Sequence, residues 1–277
     1  MKYALRLSYI GKNYCGWQRQ SRNPEKAPEL PSIQETIENA LSRITSVPIT
    51  VVGSGRTDAG VHAVGQVAHF RFEQEGNRFT KEVFKRGLNS LLPQDIRVME
   101  AFQVPDEFHA QRSATHKQYS YYFQQGPCPL PHLMDTTWWI QKTLDVEGMQ
   151  EALNHLVGEH DFKSFQASGA PEGRSTVRKI LEAKVTREPM PIFPGQDLNE
   201  REFSVVRVRL VGTGFLKQMV RGIAGTLLQI GEKYRNPAEM AVILSSQKRN
   251  LVGPTAPAKG LTLERVWYKP DLYGNTN

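Results

Sequence analysis

Two hydrophobic periodicities alternate along this chain. In some stretches every second residue is apolar, which is typical of half-buried strands, and in others apolar residues recur every three or four positions, as in amphipathic helices. Over the first part of the chain the pattern predicts strand, helix, strand, strand, helix, strand. These six elements span residues 3–9, 33–44, 47–52, 64–72, 80–92 and 96–104. Ser32 and Glu35 form a capping box that marks the start of the first helix.

A similar order of elements recurs in the second part of the chain. Strands are predicted at residues 119–125, 177–187, 203–211 and 263–268, and helices at 146–157, 215–230 and 237–244. No sequence repeat accompanies this order, so the duplication rests on the elements alone. We therefore predict an α+β fold with two similar halves, residues 1–110 and 111–277. Their mainly antiparallel sheets would join side by side and leave a central cleft.

Three stretches lack both periodicities. Residues 21–31 contain Pro24, Pro28 and Pro31, and residues 165–176 and 188–201 are also irregular by composition. Each is predicted to be a surface loop. The first two could touch a ligand or could be plain connections, and the sequence leaves both alternatives open.

The most distinctive polar stretch is residues 53–62, which follows a predicted strand and contains three glycines. Glycine lets the backbone turn and approach a ligand closely. If the stretch is extended, Arg56 and Asp58 share one face and Thr57 lies on the other. An arginine beside an aspartate favours the ionised carboxylate, which can act as a nucleophile or a base. In the alternative interpretation, Asp58 caps a turn and Arg56 is its ion-pair partner at the surface.

Charge indicates a class of partner. The chain has 277 residues, 39% of them hydrophobic, which is enough for a substantial core, and a formal net charge of +7. A basic surplus favours a polyanion such as RNA. Clusters of basic residues in turn-rich segments suggest a nucleic-acid groove, although a solvated surface would explain each residue singly. The clusters are Arg112, His116 and Lys117 with Tyr119; Arg174, Arg178 and Lys179; and Lys217 with Arg221.

Several classes of protein are disfavoured. Cys15 and Cys128 are too few for a disulfide framework or a zinc signature and suit a reduced compartment. His62 and His69 lack the spacing of metal ligands, so we predict structural roles for both. No apolar run reaches the length of a membrane span, and the first residues alternate instead of forming a secretory segment. We therefore expect a cytoplasmic protein.

Motifs along nearly the whole chain resemble those of the bacterial tRNA pseudouridine synthase A family, and they keep the family's order. The motifs are Gly16-Trp17-Gln18-Arg19-Gln20; Gly55-Arg56-Thr57-Asp58-Ala59-Gly60-Val61-His62-Ala63 with Gly65-Gln66-Val67-Ala68; Phe108-His109-Ala110 with Ser113-Ala114-Thr115 and Tyr119; His160-Asp161-Phe162; Phe215-Leu216 with Met219-Val220-Arg221; and Pro254-Thr255-Ala256-Pro257 with Gly260-Leu261. So many ordered matches make chance agreement very improbable.

The resemblance implies conversion of uridine to pseudouridine at positions 38, 39 and 40 of the tRNA anticodon stem-loop, without a cofactor. It also implies the pseudouridine synthase fold, with two α/β sandwich halves around a central basic cleft, and a homodimer that binds tRNA. Asp58 matches the catalytic aspartate, Arg56 its partner arginine and Arg221 the arginine that pairs with the aspartate. Tyr119 matches the tyrosine near the uracil. We assign substrate contacts to Arg56, Tyr119, Gln18, Arg19, Arg112 and Lys117.

Four positions depart from the family pattern. Lys217 and Gln218 replace an aromatic residue and a histidine, Gly222 replaces an asparagine, and Gln166 stands where an arginine is common. None of these positions is among the four residues assigned to catalysis.

The chemistry that these residues could perform follows from their functional groups. The Asp58 carboxylate can attack C1′ of the ribose to form a glycosyl-enzyme, or it can remove the C2′ proton, and the sequence leaves both routes open. Tyr119 offers an aromatic face to the uracil and a hydroxyl that could assist proton removal from C5. The target nucleotide must leave its helix, and Arg56 could fill the vacated space or bind its phosphate.

Two other functions fit the same residues. The first is a non-catalytic protein that binds structured RNA in the same basic cleft, with Arg56 and Asp58 as structural residues. The second is a metal-free RNA hydrolase in which a carboxylate activates water.

Overall fold

The computed structural model describes residues 1–19, 29–73, 79–167, 169, 173, 175–189 and 203–273. Most of the predicted loops at residues 21–31 and 188–201 lie outside these ranges. The predicted loop at 165–176 is described only in part, and the basic residue Arg174 falls outside the described residues. Within the described ranges, no helix combines the length and apolar character needed to cross a membrane.

The chain divides into two compact units. The first contains Met1–Lys117 together with Leu263–Asn277, and the second contains Gln118–Thr262. The predicted halves, residues 1–110 and 111–277, stay a prediction, and Leu263–Asn277 group with the first unit. The reason is that the last strand, at residues 261–268, is hydrogen-bonded to the strand at residues 62–71 of the first unit. Hydrophobic periodicity does not predict which strands pair.

The first unit follows the predicted order of strands and helices. Its elements are β1 (Lys2–Tyr9), α1 (Ile33–Thr45), β2 (Val52–Gly53), β3 (His62–Arg71), α2 (Lys81–Leu91) and β4 (Ile96–Val104). Strand β1 lies between β4 and β3 and is antiparallel to both. Alternate residues of β1 enter the core, and Tyr3, Leu5 and Leu7 are all at most 2% exposed.

The N-terminus of α1 is capped as predicted. The Ser32 hydroxyl accepts a hydrogen bond from the backbone N–H of Glu35 at 3.1 Å. Ile33, Ile37 and Leu41 are fully buried on one face of the helix, as the helical spacing predicts. This cap satisfies one of the N–H groups that have no partner inside the helix.

The predicted strand at residues 47–52 is mostly wrong, because only Val52 and Gly53 form a strand, β2. The preceding residues bond to side chains of α1 instead of to a neighbouring strand. The Ile49 N–H donates to the Ser42 hydroxyl at 3.3 Å, and the Val51 N–H donates to a Glu38 carboxylate oxygen at 3.0 Å. The apolar, β-branched residues predicted hydrogen bonds to a neighbouring strand, but these N–H groups bond to side-chain acceptors.

The second unit also combines a sheet with helices. Its elements are β5 (Ala114–Gln125), which begins in the first unit, then β6 (Trp138–Ile140), α3 (Val146–Asn154), β7 (Gly158–Asp161), β8 (Val177–Pro189), β9 (Ser204–Gly212), α4 (Met219–Gly231) and α5 (Glu239–Ser246), while β10 (Leu261–Tyr268) returns the chain to the first unit. The strand order is β5-β9-β8-β7, and β8 is antiparallel to β7 and β9. The short strands β6 and β7 were not predicted. The α+β class and the mainly antiparallel pairing are confirmed.

Helix α4 begins at Met219, four residues later than predicted. Gln218 has a φ of 58°, and this left-handed backbone ends the helical path before it reaches Lys217. The predicted start of this helix at residue 215 is therefore wrong, and Lys217 lies outside the helix that carries Arg221. Every residue of α4 except Arg221 and Gln229 is buried.

Candidate active site

The loop between β2 and β3 carries Arg56 and Asp58. Its backbone is attached to neighbouring segments at two points: the Ser54 N–H donates to the Val67 carbonyl at 2.7 Å, and the Trp17 N–H donates to the Thr57 carbonyl at 3.0 Å. A turn follows, in which the Val61 N–H donates to the Asp58 carbonyl at 3.1 Å and Gly60 has a φ of 78°. The loop is therefore held in one conformation where the aspartate lies.

Exposure alternates along this loop. Arg56 is exposed, Thr57 is buried, and Asp58 is half-buried. The Thr57 hydroxyl shares a 2.9 Å hydrogen bond with the hydroxyl of Tyr9, which lies on β1. This arrangement agrees with the predicted alternation, in which Thr57 points away from the face that carries Arg56 and Asp58.

Gln66 of β3 supports the loop from inside the protein and is fully buried. Its side-chain carbonyl accepts a hydrogen bond from the Ser54 hydroxyl at 2.6 Å, and its amide donates to the Gly55 carbonyl at 2.9 Å. Burial raises the pKa of the neighbouring Tyr9 to about 12, so that its phenol stays neutral. Tyr9 and Gln66 thus hold the loop through hydrogen bonds between uncharged groups.

Gly16 allows a second segment to pack directly on the loop. It has a φ of 107°, and a Cβ at this position would lie 2.7 Å from the Thr57 carbonyl oxygen. A side chain would therefore be strained and would collide with the backbone beside Asp58. The adjacent Trp17 is buried, with its ring centroid 6.2 Å from that of Tyr9.

Lys117 also contacts the loop. Its ammonium group donates to the Ser54 carbonyl at 2.6 Å and would lie 3.0 Å from a Cβ on Gly55. Burial lowers the pKa of Lys117 to about 8, because the charged form is poorly solvated there. The structure therefore directs this lysine towards the loop backbone, and its predicted contact with substrate stays a prediction.

The other predicted substrate contacts in the first unit differ in exposure. Gln18 and Arg112 are exposed. Arg19 forms an ion pair of 3.3 Å with Glu38, whose side chain is only 6% exposed. This pairing neutralises a buried carboxylate and gives Arg19 a structural role.

Tyr119 and Arg221 belong to the second unit. Tyr119 on β5 is 8% exposed, and its ring meets that of Phe215 edge to face at a centroid distance of 5.0 Å. Arg221 on α4 is half-buried, and its Nε donates to the Ala256 carbonyl at 2.8 Å. Both side chains are therefore fixed by neighbours within their own unit.

His62 and His69 are buried residues whose Nδ1 atoms accept backbone hydrogen bonds. The donors are the N–H groups of Gly11 at 3.0 Å and Ala110 at 3.1 Å. Burial, with a smaller effect from His109, lowers the pKa of His69 to about 4. In the described part of the chain, no group of three or more His, Cys, Asp or Glu side chains could hold a metal ion.

Sequence reasoning missed the residues that support the loop. It assigned no role to Tyr9, Gly16, Trp17 or Gln66, although the structure brings all four to residues 53–58. One signal was available for Gln66, which is a polar residue in a strand whose neighbours Val67 and Ala68 are apolar. A polar side chain in such a strand is expected to find buried partners.

Comparison with known proteins gives the family. A family profile described as tRNA pseudouridine synthase matches residues 7–111 and 152–269. The chain belongs to the tRNA pseudouridine synthase family. Pseudouridine synthases are isomerases that convert uridine to pseudouridine, and this chain is an enzyme of that class.

Individual tRNA pseudouridine synthases match nearly the full length of the chain. A protein named tRNA pseudouridine synthase A from Bdellovibrio bacteriovorus is 40% identical over 271 residues, which cover 98% of this chain and 96% of that protein. Proteins of the same name from Syntrophotalea carbinolica and Lawsonia intracellularis are 38% and 40% identical. These matches cover 96% and 95% of this chain, and 96% and 97% of the respective relatives.

Proposed function

We propose that this protein isomerises uridine to pseudouridine in tRNA, at positions 38, 39 and 40 of the anticodon stem-loop, with Asp58 as the catalytic nucleophile. The observation that carries the proposal is the construction of the Asp58 loop. Its inner side is fixed by Thr57, Gln66 and Lys117, while Arg56 is exposed and Asp58 is half-buried. A rigid loop that presents a carboxylate beside an exposed guanidinium suits a reaction at a ribose carbon.

The reaction balances without a redox partner. When the Asp58 carboxylate attacks C1′, a C–O bond forms and the bond from C1′ to N1 breaks, leaving the electron pair on uracil. The uracil turns, C5 bonds to C1′, and the carboxylate is released. C5 then loses its proton while N1 gains one. In the other route Asp58 removes the C2′ proton while the bond from C1′ to N1 breaks, which gives a glycal and free uracil. C5 then bonds to C1′, and C2′ takes the proton back from the Asp58 carboxyl group.

The other assigned residues have complementary roles. Tyr119 would hold the detached uracil against its ring, and its contact with Phe215 limits the directions that the ring can take. Arg221 would pair with the carboxylate, because guanidinium groups bind carboxylates in a fixed planar geometry. Arg56 would fill the space that the flipped nucleotide leaves or bind its phosphate.

Recognition of tRNA would rest on charge and shape. The net charge of +7 favours binding to phosphates, and Arg56, Arg112 and Gln18 are exposed polar side chains that can reach RNA. The relatives that match this chain are named for tRNA. A homodimer and a cytoplasmic location are part of the same proposal, and the reaction as written needs no cofactor.

Release of hydrogen from uridine C5 tests the proposed reaction. Unmodified tRNA labelled with tritium at C5 should lose its label on incubation with the protein, because C5 becomes bonded to the ribose. A protein that only binds RNA would release no tritium, and a hydrolase would shorten the RNA; either result would contradict the proposal.

The same assay tests the role of Asp58. We expect Asp58→Asn to bind tRNA with little change in Kd and to lose turnover by at least about 10⁴-fold, since an amide cannot form the glycosyl bond or accept the proton. Asp106→Asn is a matched control, because Asp106 is an exposed aspartate of the same unit, 67% exposed as a side chain. Substantial activity in Asp58→Asn would place the nucleophile elsewhere.

Transcripts test the positions. We expect three tRNA variants, each with uridine at only one of positions 38, 39 and 40, to release tritium. A transcript with cytidine at all three positions should release none. Label release from that last transcript would show that the enzyme modifies a different part of the tRNA.

A further inference from the structure

Residues 254–257 form a short segment without helix or strand in the second unit, and a different contact holds each of its four residues. We call it the anchored segment. The contacts come from α4, from β5 and from Arg249, which lie far from one another in sequence. Holding all four residues of an irregular segment in one conformation costs conformational entropy. A functional role would explain why the segment is held so firmly.

Ala256 of the anchored segment pairs with Arg221 at two points. The Ala256 N–H donates to the Arg221 carbonyl at 3.1 Å, and the Arg221 Nε donates to the Ala256 carbonyl at 2.8 Å. The first bond joins the backbones and the second joins backbone to guanidinium. Together they hold the Arg221 backbone and the Nε of its guanidinium against one residue.

The neighbouring positions are held by side chains. Nη2 of Arg249 donates to the Thr255 hydroxyl at 2.7 Å, and the Tyr121 hydroxyl donates to the Pro257 carbonyl at 2.8 Å. Burial raises the pKa of Tyr121, so its phenol keeps the proton that it donates. Ala256 therefore lies between two positions that cannot shift independently of the core.

Pro254 packs on α4 through Gly225. A Cβ on Gly225 would lie 1.7 Å from the Pro254 carbonyl oxygen, which no side chain can occupy without moving that backbone. Gly222 lies one turn earlier on the same helix, and a Cβ there would meet its nearest neighbours at 3.5 to 3.6 Å, an ordinary contact. The anchored segment therefore packs directly on Gly225, whereas a Cβ on Gly222 would meet other residues.

We propose that the anchored segment is a positioning element: residues 254–257, fixed by Gly225, Arg249 and Tyr121, set the orientation of the Arg221 guanidinium for catalysis. This inference rests on the proposed function, because it takes Arg221 as the arginine that pairs with Asp58. The residues of the segment act through Arg221 and do not themselves touch substrate.

Two alanine variants of α4 separate the proposal from a general effect of removing glycine from a helix. Gly225→Ala must displace Pro254 and with it the acceptor of Arg221 Nε, so we expect kcat to fall by about 100-fold while KM and the Kd for tRNA change by less than about threefold. Gly222→Ala gains the same helix propensity without a collision and should keep kcat within about twofold. Equal kcat values for the two variants would overturn the proposal.

A second pair of variants covers the case in which Gly225→Ala does not fold. Thr255→Val keeps the volume of the side chain and removes the acceptor for Arg249, so we expect kcat to fall by about tenfold at unchanged Kd for tRNA. Thr255→Ser keeps a hydroxyl and should restore kcat to within about twofold of the original protein. Full activity in Thr255→Val, or an equal loss in Thr255→Ser, would contradict the role of this contact.

Failure of the inference and failure of the proposed function give different results. If the unchanged protein releases no tritium from labelled tRNA, the proposed function fails. If the unchanged protein is active and Arg221→Ala is equally active, the proposed reaction at Asp58 stands, whereas the roles of Arg221 and of the anchored segment are overturned.

Discussion

Lys117, beside the Asp58 loop, is less solvated than an ordinary surface lysine. Lys117 combines a hydrogen bond to the Ser54 carbonyl with a pKa lowered to about 8 by burial. In the unfolded chain this ammonium would titrate near 10.5. Between these two values the unfolded state binds more protons than the folded state, so the contribution of Lys117 to stability rises with pH across this window.

Lys117→Met should remove this pH dependence. We expect the free energy of unfolding of the unchanged protein to rise relative to that of Lys117→Met when the pH is raised from about 8 to about 10, because the cost of burying the charge disappears. Urea titrations at both pH values measure the difference, and Lys81→Met, at an exposed lysine of the same unit, is the control. Parallel pH profiles for the unchanged protein and Lys117→Met would contradict the effect.

Arg249 has a buried guanidinium nitrogen whose hydrogen-bonding capacity is not satisfied. Among the described side chains, its Nη1 is one of two buried polar atoms that lack a hydrogen-bond partner, and it would lie 3.6 Å from a Cβ on Gly222. A hydroxyl on that Cβ would come within hydrogen-bonding distance of Nη1. An unsatisfied buried donor destabilises the fold, so supplying an acceptor should help.

Gly222→Ser should therefore be more stable than Gly222→Ala by about 1 kcal/mol, even though serine is the weaker helix former. The alanine variant supplies the Cβ without the acceptor, so the comparison isolates the hydrogen bond. Chemical denaturation of the two variants under identical conditions measures the difference. A serine variant that is less stable than the alanine variant would show that Nη1 gains nothing from the hydroxyl.

At the scale of elements, Glu38 of α1 decides the path of the chain into β2. Its carboxylate accepts hydrogen bonds from the Gln34 side chain at 2.9 Å and the Val51 backbone at 3.0 Å, and it pairs with Arg19. One buried side chain thus connects a helix, the segment before β2 and the segment after Trp17. The two segments flank the Asp58 loop, so this helix also contributes to the geometry of the site.

Glu38→Ala should cost about 3 kcal/mol of stability, because it leaves Arg19 and the Val51 N–H without their acceptor. Its neighbour Asn39 is exposed on the same helix, and Asn39→Ala should change stability by less than about 0.5 kcal/mol. Thermal or urea unfolding compares the two. Equal stabilities of the two variants would show that the Glu38 carboxylate does not hold these segments together.

At the scale of the whole molecule, the net charge of +7 favours binding to the phosphates of tRNA, and the number of phosphates neutralised sets how the affinity depends on salt. Each phosphate that a basic residue neutralises releases counterions, so the logarithm of the binding constant falls linearly with the logarithm of salt concentration. The exposed residues Arg56 and Arg112 are candidates for such contacts.

Arg112→Ala should reduce the magnitude of this salt slope by about 1, with a modest loss of affinity at low salt. Arg97→Ala is a suitable control, because Nη1 of Arg97 is bonded to the Pro93 carbonyl at 2.6 Å and the Ile96 carbonyl at 2.7 Å. Binding titrations at several salt concentrations give both slopes. An unchanged slope in Arg112→Ala would remove Arg112 from the proposed RNA surface.

The sequence by itself determined whatever depends on neighbours along the chain. The cap at Ser32 follows from the residue types at the start of α1, and the alternation in β1 and the buried face of α1 follow from local periodicity. The residues around Asp58 identify the family because they are contiguous. The order of elements in the first unit could be predicted for the same reason, whereas the short strands β6 and β7 of the second unit were missed.

Only the tertiary structure decided the contacts between distant residues. Glu38 took the N–H of Val51, Gln66 and Tyr9 came to support the Asp58 loop, and β10 returned to the first unit. The contact of Gly225 with Pro254 joins residues 29 positions apart in the same way. Such partners are chosen by packing and by the need of buried polar groups for hydrogen bonds, and neither leaves a periodic signal in the sequence.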